Sequence, residues 1–365
     1  MASNKNQHFV PRCYLKQFTI NAEGAGINVY NIDRRVLISK APVKNQCSGN
    51  YFYGQDAKLE AAIQSLEQGY SSALKDILRP GYRLQSRHEE ILQFFWLFQY
   101  LRTEGACRRS AEMFADMFDS VNFDGSFSMS IKEAVLASMH AFAEDMHSMS
   151  DMKVCLLRNA SEIPFITSDD PAILTNRWKL EDKRTKGSAL GLRDAGAIML
   201  LPLSPKIYCI GYDSAVYKIP NEGGWLAVRK SSDVESLNEF QLMNCRANLF
   251  VGNEDLANYL HRFVDMFIHR RPAERHVVNF AIFEGEGDEE FKRYRVVSKA
   301  EFAKAEDGLM HAKSISTHPS SWPSFLLRRS KSSAYYNGTG LGYIRQMHAE
   351  LKGGDIPFFK VKPYR

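Results

Sequence analysis

The hydrophobic pattern of this chain changes its period near residue 150, and this change restricts the fold more than any other feature. Before it, apolar residues recur at spacings of three and four, which is typical of amphipathic helices. After it, short runs such as "KVCLLRN" and "KIYCIGYD" are β-rich and separated by turn residues, as strands are. Helices followed by strands predict an α+β fold, in which a helical N-terminal half packs with a mixed or antiparallel sheet.

Individual elements follow from the same periodicity. Four helices are predicted at about residues 58–78, 89–103 and 106–118 and from Ser130 onward. The last one begins with Ser130 and Glu133 in the spacing of a capping box. A hairpin is expected earlier, in "INVYNIDRRVLIS". Two later segments are predicted to be helical, "VESLNEFQLMNCRANLFVGN" and the segment that begins at Asn253.

The composition is that of an ordinary globular protein, with 44% hydrophobic and 24% charged residues. The most apolar window, "ILQFFWLFQYL", is far too short to cross a bilayer, and "MASNKNQHF" lacks the apolar core of a signal peptide. The six cysteines are scattered and form no Cys-x-x-Cys pair. We therefore expect a reduced, cytoplasmic protein without a membrane partner, and the sequence leaves its cofactor unknown.

The positive charge is concentrated at the C-terminus. Residues 313–365 contain nine Lys and Arg against two acidic residues, whereas the whole chain has a net charge of only +5. The acidic run "EGEGDEE", residues 284–290, is the best candidate for a boundary. The prediction is a main α+β domain at residues 6–283, followed at 284–365 by an acidic linker and a basic, aromatic extension.

Basic and aromatic residues alternate in this extension, a combination that suits nucleic acid, with charge for the backbone and rings for stacked bases. The candidate nucleic-acid-binding residues are Arg328, Arg329, Lys331, Lys360 and Lys362. In the alternative, the extension packs its aromatic residues on the core and its charges are solvated.

Four stretches resemble a bacterial family known as domain-of-unknown-function family 4238. They are "QHFVPRCYLKQF", "FQYLRT", "PFITSDDPAIL" followed by "PLSP", and "LNEFQLMNCRANLFV". The matching residues are His8, Val10, Pro11, Arg12, Tyr14, Leu15, Phe18, Gln99, Arg102, Thr103, Thr167, Ser168, Asp169 and Pro171. The family usually has Asn where this chain has Asp170, which adds a negative charge. The resemblance covers about residues 6–253 and implies a bacterial protein, but no settled activity.

Five residues of these motifs form a candidate catalytic site: His8, Arg12, Gln99, Arg102 and Asp169. His8 is suited to general acid–base catalysis because its pKa lies near neutrality. The two arginines suit bidentate contacts with a phosphate, while Gln99 and Asp169 would orient the nucleophile. The alternative is a buried polar network in which the same side chains satisfy one another, because a Gln and an Arg on an apolar helix need partners.

Other patterns are weaker. The sets His140, Glu144, His147 and His261, Asp265, His269 have the helical spacing of metal ligands. The same spacing is common on solvated helices, so we expect no metal site. The Arg-x4-His spacing of certain ribonucleases occurs in "RLQSRH", at a frequency that chance explains.

The resulting hypothesis is a bacterial cytoplasmic protein that acts on a phosphate-bearing substrate, either a nucleic acid or a nucleotide. As an enzyme it would be a nuclease-like phosphodiester or nucleotide hydrolase, and the family's bacterial spread implies a toxin or a phage-defence effector. The alternative is a non-catalytic subunit that binds nucleic acid or protein through the C-terminal extension. The sequence leaves open which of these two classes applies.

Overall fold

The structure is a computed structural model that describes residues 5–119, 129–185, 188–286, 292–351 and 356–363. Its helices are α1 Arg12–Leu15, α2 Ala57–Ile77, α3 Ser86–Arg102, α4 Glu104–Phe118, α5 Ile131–Asp145, α6 Arg177–Glu181, α7 Ser231–Asn244, α8 Ala257–Phe267, α9 Lys299–Phe302 and α10 Gln346–Leu351. Its strands are β1 Asn6–His8, β2 Gly26–Asn31, β3 Val36–Pro42, β4 Ser48–Asn50, β5 Lys153–Asn159, β6 Thr167–Ser168, β7 Ile173–Thr175, β8 Ile198–Ser204, β9 Ile207–Tyr212, β10 Tyr217–Lys218, β11 Trp225–Val228, β12 Asn248–Val251, β13 His276–Glu286, β14 Lys292–Val297, β15 Gly308–Ser314, β16 Leu327–Arg328, β17 Ala334–Tyr336 and β18 Phe359–Val361.

The predicted helices of the N-terminal half are confirmed to within about three residues. Asp56 caps α2, since its carboxylate accepts hydrogen bonds from the N–H groups of Lys58 and Leu59. The capping box of α5 is formed by Ser130 and Glu133, as their spacing predicts. These ends are decided by local chemistry, which explains why the sequence locates them well.

Two larger sheets confirm the α+β class. A five-stranded sheet has the order β11-β5-β9-β8-β7, in which β11 and β5 are parallel and the other neighbours antiparallel. A four-stranded antiparallel sheet has the order β3-β2-β12-β6, and its β2–β3 pair is the predicted hairpin. The mixed and antiparallel arrangement matches the expectation from the strand pattern.

One predicted helix is wrong in its second half. Helix α7 ends at Asn244, and "NLFV" forms β12 between β2 and β6. A short apolar run suits a buried strand as well as a helix, so its periodicity does not discriminate between them. The segment is a strand because β2 and β6 pair with its backbone on both sides.

Helix α3 lies at the centre of the main core. Phe95 stacks on Tyr70 of α2 at 3.5 Å between ring centroids, and the indole N–H of Trp96 donates to the carbonyl of Leu200 on β8 at 3.1 Å. The helix is therefore fixed between α2 and the five-stranded sheet. Arg102, the last residue of α3, therefore lies beside the N-terminal segment, where it donates to the carbonyl of Phe9.

The C-terminal residues pack on the rest of the protein. Phe325 and Leu326 belong to the core beneath the five-stranded sheet, and β16 pairs with β10. The strands that flank the acidic run, β13 and β14, pair with each other and form a small sheet with β15. The domain boundary in this run remains a prediction, and residues 287–290 of it lie outside the described residues.

No described helix combines the length and the apolar character needed to cross a membrane.

Candidate functional site

The N-terminal strand and one face of α2 enclose a polar pocket of about 340 Å³. Strand β1 pairs with β4, which places His8 opposite Ser48. Pro11 precedes α1 and Arg12 is its first residue, so both basic side chains line the same pocket. The residues that α2 contributes lie on one helical face and are Glu60, Ile63, Gln64, Glu67, Gln68 and Ser71.

His8 is half-buried, and its backbone is tightly held. Its carbonyl accepts hydrogen bonds from the hydroxyl of Tyr53 and from Nη2 of Arg102, both at 3.2 Å. Its Nε2 is buried and has no hydrogen-bond partner among the described residues. Burial lowers the pKa of the imidazole, and the nearby charges of Arg12 and Arg102 lower it further. Burial and these charges therefore favour the neutral form of the ring.

Arg12 is the cation of this pocket that a ligand can reach. Its side chain is exposed and lines the pocket, and within the described part of the chain it has no hydrogen bond or ion pair. A guanidinium group presents its N–H donors in a planar fork that matches two oxygens of a phosphate or carboxylate.

Two further side chains of the pocket are poor nucleophiles. Burial raises the pKa of the Cys13 thiol to about 12. Burial also raises the pKa of the Tyr53 hydroxyl above its usual range. Both groups are protonated near neutral pH, so His8 is a better proton acceptor than either of them.

Arg102 is fully buried and does not line the pocket. Its Nε donates to the carbonyl of Phe9 at 2.9 Å, and its Nη2 donates to Glu67 Oε1 at 2.8 Å as well as to the His8 carbonyl. Its guanidinium lies over the ring of Phe98, 4.1 Å from the centroid. Arg102 therefore joins α3 to the N-terminal strand and to α2, and it holds the His8 backbone from outside the pocket lining.

Gln99 and Asp169 lie apart from the pocket. Gln99 is completely buried on α3, and both polar atoms of its amide are without a hydrogen-bond partner among the described residues. The carboxylate of Asp169 accepts hydrogen bonds from three consecutive backbone N–H groups, those of Arg246, Ala247 and Asn248, at 2.7 to 3.0 Å. Burial raises the pKa of Asp169 to about 6. Asp169 thus caps the connection between α7 and β12.

The unusual Asp170 is neutralised inside the protein. It is fully buried, forms an ion pair with Arg109 and accepts a hydrogen bond from the hydroxyl of Thr103 at 2.6 Å. The backbone carbonyl of Asp170 also accepts from the amide of Asn244 at 2.6 Å. The two sequence motifs that contain Thr103 and Asp170 therefore meet in a buried polar network, whose members are not the five candidate site residues.

The candidate residues of the C-terminal extension fall into two groups. Arg328 forms an ion pair with Glu181 at 2.8 Å, and Arg329 donates to the carbonyl of Tyr217 at 3.1 Å. These arginines dock the extension on the main domain. The side chains of Lys331, Lys360 and Lys362 are exposed.

The histidines at helical spacing have other partners or face solvent. His261 is hydrogen-bonded through Nδ1 to the hydroxyl of Tyr30 at 3.0 Å, and Asp265 pairs with Arg35 at 2.6 Å. His140 and Glu144 are exposed. Among the residues that the structure describes, no three His, Cys, Asp or Glu side chains are grouped to hold one metal ion.

A second pocket, of about 420 Å³, lies beside β11 at the edge of the five-stranded sheet. Its lining includes Arg83, Arg158 and Trp225. The sequence did not indicate this site, because these residues come from a loop and two strands that are far apart in the chain. The one local signal is the glycine pair directly before Trp225, since paired glycines mark a tight turn.

The fold and the first pocket define an α+β protein with a candidate anion-binding site at its N-terminal strand. The chain belongs to the family described as proteins of unknown function, DUF4238, whose model matches residues 6–255. This match confirms the family that the sequence motifs indicated. Neither the curated proteins nor the solved structures include one that matches the chain.

Proposed function

We propose that the pocket between β1 and α2 binds a phosphate-bearing substrate, a nucleotide or a nucleic acid, and that the protein hydrolyses it. One observation carries this proposal: a neutral imidazole and a guanidinium without an ion-pair partner among the described residues line the same pocket. Together they offer a proton acceptor and an anion-binding group at one place, which are two requirements of phosphoester hydrolysis.

In the proposed reaction, His8 takes a proton from a water molecule that attacks phosphorus, and the bond between phosphorus and the leaving oxygen breaks. The imidazolium then gives this proton to the leaving oxygen, so that His8 returns to its neutral form. Arg12 binds two oxygens of the phosphate and stabilises the charge that develops on them. Water is the only co-reactant.

Arg102, which lies behind the pocket wall, and Glu67, which is part of that wall, support this chemistry. The Arg102 guanidinium holds the carbonyls of His8 and Phe9, and its pairing with Glu67 fixes the helix that forms the opposite wall. A catalytic group that is misplaced by about 1 Å loses much of its effect, about 100-fold in rate, so this support matters for the rate.

The face of α2 favours a nucleotide over inorganic phosphate as the ligand. Gln64 and Gln68 are exposed in the pocket wall, and their amides offer both donors and acceptors. A ligand with a phosphate and a polar ring or sugar would use Arg12 and these amides together.

The test uses purified full-length protein with three kinds of substrate: single-stranded RNA, single-stranded DNA and nucleoside triphosphates. We expect H8Q to lower the turnover rate by about 10²- to 10⁴-fold, which is the typical contribution of a general base. R12Q should raise KM. K16Q is the matched control, because Lys16 is an exposed cation one helical turn after Arg12 and does not line the pocket.

Equal turnover by H8Q and the wild type would overturn the proposed chemistry, as would a lack of turnover on all three substrates. In a bacterial cell, the proposed activity would suit a toxin or a phage-defence effector located in the cytoplasm. Growth of cells that express the wild type, H8Q or K16Q tests this role, provided that the three proteins reach the same soluble level.

The second candidate is a non-catalytic subunit that binds nucleic acid through the extension. It is favoured by the exposure of Phe359, which is 64% accessible and directly precedes the exposed Lys360. Deleting the extension is not a clean test, because Phe325 and Leu326 belong to the core. Replacing Lys331, Lys360 and Lys362 by Gln leaves the core intact. Loss of nucleic-acid binding in that variant, with H8Q binding normally, would support this candidate.

A further inference from the structure

The pocket beside β11 contains hydrogen-bond donors that lack acceptors. Arg83 and Arg158 both line it, and neither side chain has a hydrogen bond or an ion pair within the described residues. Trp225 lines it as well, and the buried indole Nε1 of this residue likewise has no acceptor in the described structure. A buried N–H without an acceptor is rare in a native protein, and a bound ligand can supply the missing acceptor.

Two of these donors, Arg158 and Trp225, are held in place before any ligand binds. The guanidinium of Arg158 lies over the ring of Trp225, 4.9 Å from its centroid. The ring of Tyr82 packs edge-on against the same indole at 6.5 Å. Tyr82 is fixed in turn by hydrogen bonds to Nδ1 of His88 and from the backbone N–H of Gln85. A planar arginine on an aromatic ring loses little freedom when it binds an anion.

The glycine turn shapes the wall of this pocket. Gly223 and Gly224 have φ values of +56° and +82°, which side chains rarely tolerate. A Cβ on Gly224 would lie 2.5 Å from Cβ of Leu84, so the chain comes too close for any other residue. The turn is closed by two hydrogen bonds between the backbones of Glu222 and Trp225. The backbone that carries the indole is therefore rigid.

We propose that this pocket is a second binding site, which takes a phosphate group through Arg83, Arg158 and the indole N–H of Trp225. Three groups that only donate require a ligand that only accepts, and a phosphate has oxygens on every side. The site does not depend on hydrolysis in the His8 pocket. Its ligand is either free phosphate or the phosphate of a nucleotide or a single-stranded RNA.

Glu222 is the acidic residue of this pocket's lining, and it offers a sensitive control. Its side chain is exposed at the rim, and within the described residues it is not paired with either arginine. Its negative charge weakens anion binding. E222Q should therefore bind phosphate more tightly than the wild type.

The test is a calorimetric titration of the full-length protein at constant ionic strength, with inorganic phosphate, adenosine 5′-monophosphate and an eight-nucleotide RNA as separate probes. R158A and R83A should each weaken binding by about tenfold or more, because each removes a charge-assisted hydrogen bond to the phosphate. W225F keeps an aromatic ring but removes the N–H, and it should also weaken binding. The preferred probe identifies the source of the phosphate.

R229A is the matched control, because Arg229 is an exposed arginine that directly follows β11 and does not line the pocket. R12Q weakens ligand binding in the His8 pocket and so separates the two sites; the binding that R158A and R83A reduce should be unchanged in R12Q. The proposal is overturned if no probe binds, if R158A and R83A bind as tightly as the wild type, or if R229A loses as much affinity as R158A. Thermal unfolding of each variant shows that lost binding is not lost folding.

Discussion

The replacement of Arg102 by Met tests whether this arginine holds the N-terminal strand. The substitution keeps a long apolar side chain but removes the hydrogen bonds to the carbonyls of His8 and Phe9 and the ion pair with Glu67. Breaking a buried ion pair by removing one partner costs about 3–5 kcal/mol, because the remaining groups stay buried without a partner. Glu67 retains some access to solvent, which places the expected loss near the lower end, about 3 kcal/mol.

Urea unfolding measures this loss as a shift of the midpoint at constant slope. R108M is the matched control, since Arg108 pairs with Glu104 at the surface and an exposed pair contributes only about 0–1 kcal/mol. The unfolding midpoint of E67Q should lie between those of R102M and R108M, because the amide oxygen of Gln still accepts a hydrogen bond from Arg102. If R102M unfolds at the same urea concentration as R108M, the contacts of Arg102 with the N-terminal strand and with Glu67 do not stabilise the protein. The proposed role of Arg102 in positioning His8 is then wrong as well.

Three further predictions concern buried polar groups. Since the pKa of His8 in the folded protein lies below 6.5, the imidazole is protonated at a higher pH in the unfolded chain than in the folded protein. Wild-type stability should therefore decrease below pH 6.5 more than that of H8Q, and the acid limb of any turnover profile should lie below 6.5. Q99L should raise the free energy of unfolding by about 1–3 kcal/mol, because it removes a buried amide without partners among the described residues. A lower unfolding midpoint for Q99L would show that the amide is satisfied. D169A should lower the free energy of unfolding by about 3 kcal/mol or more, since three backbone N–H groups lose their acceptor. An unchanged midpoint would contradict this role.

The helical half of the fold was predictable because its signals are local. The apolar spacing of α2 and the capping box of α5 lie within a few residues of the structure they specify. The same holds for the β2–β3 hairpin, whose strands are joined by a short turn. Such patterns act through neighbours in the chain, so no knowledge of the tertiary structure is needed to interpret them.

The strand "NLFV" shows where local signals end. It is mostly apolar and follows a helix, so the sequence favours a continuation of α7. The structure makes it a strand because β2 and β6 satisfy its backbone from both sides. These partners lie some 80 to 220 residues away in the chain, and no short-range pattern records them.

For the candidate site, too, some features were predictable from the sequence and others were not. The sequence by itself determined the residue types that suit an anion, and in His8 and Arg12 it named two that do line one pocket. Only the tertiary structure decided that Arg102 lies behind that pocket and that Asp169 caps a backbone turn. It also brought Arg83, Arg158 and Trp225 to one place. The physical reason is that a side chain's chemistry belongs to its residue, whereas its burial and its partners depend on contacts between distant segments, which form only when the whole chain folds.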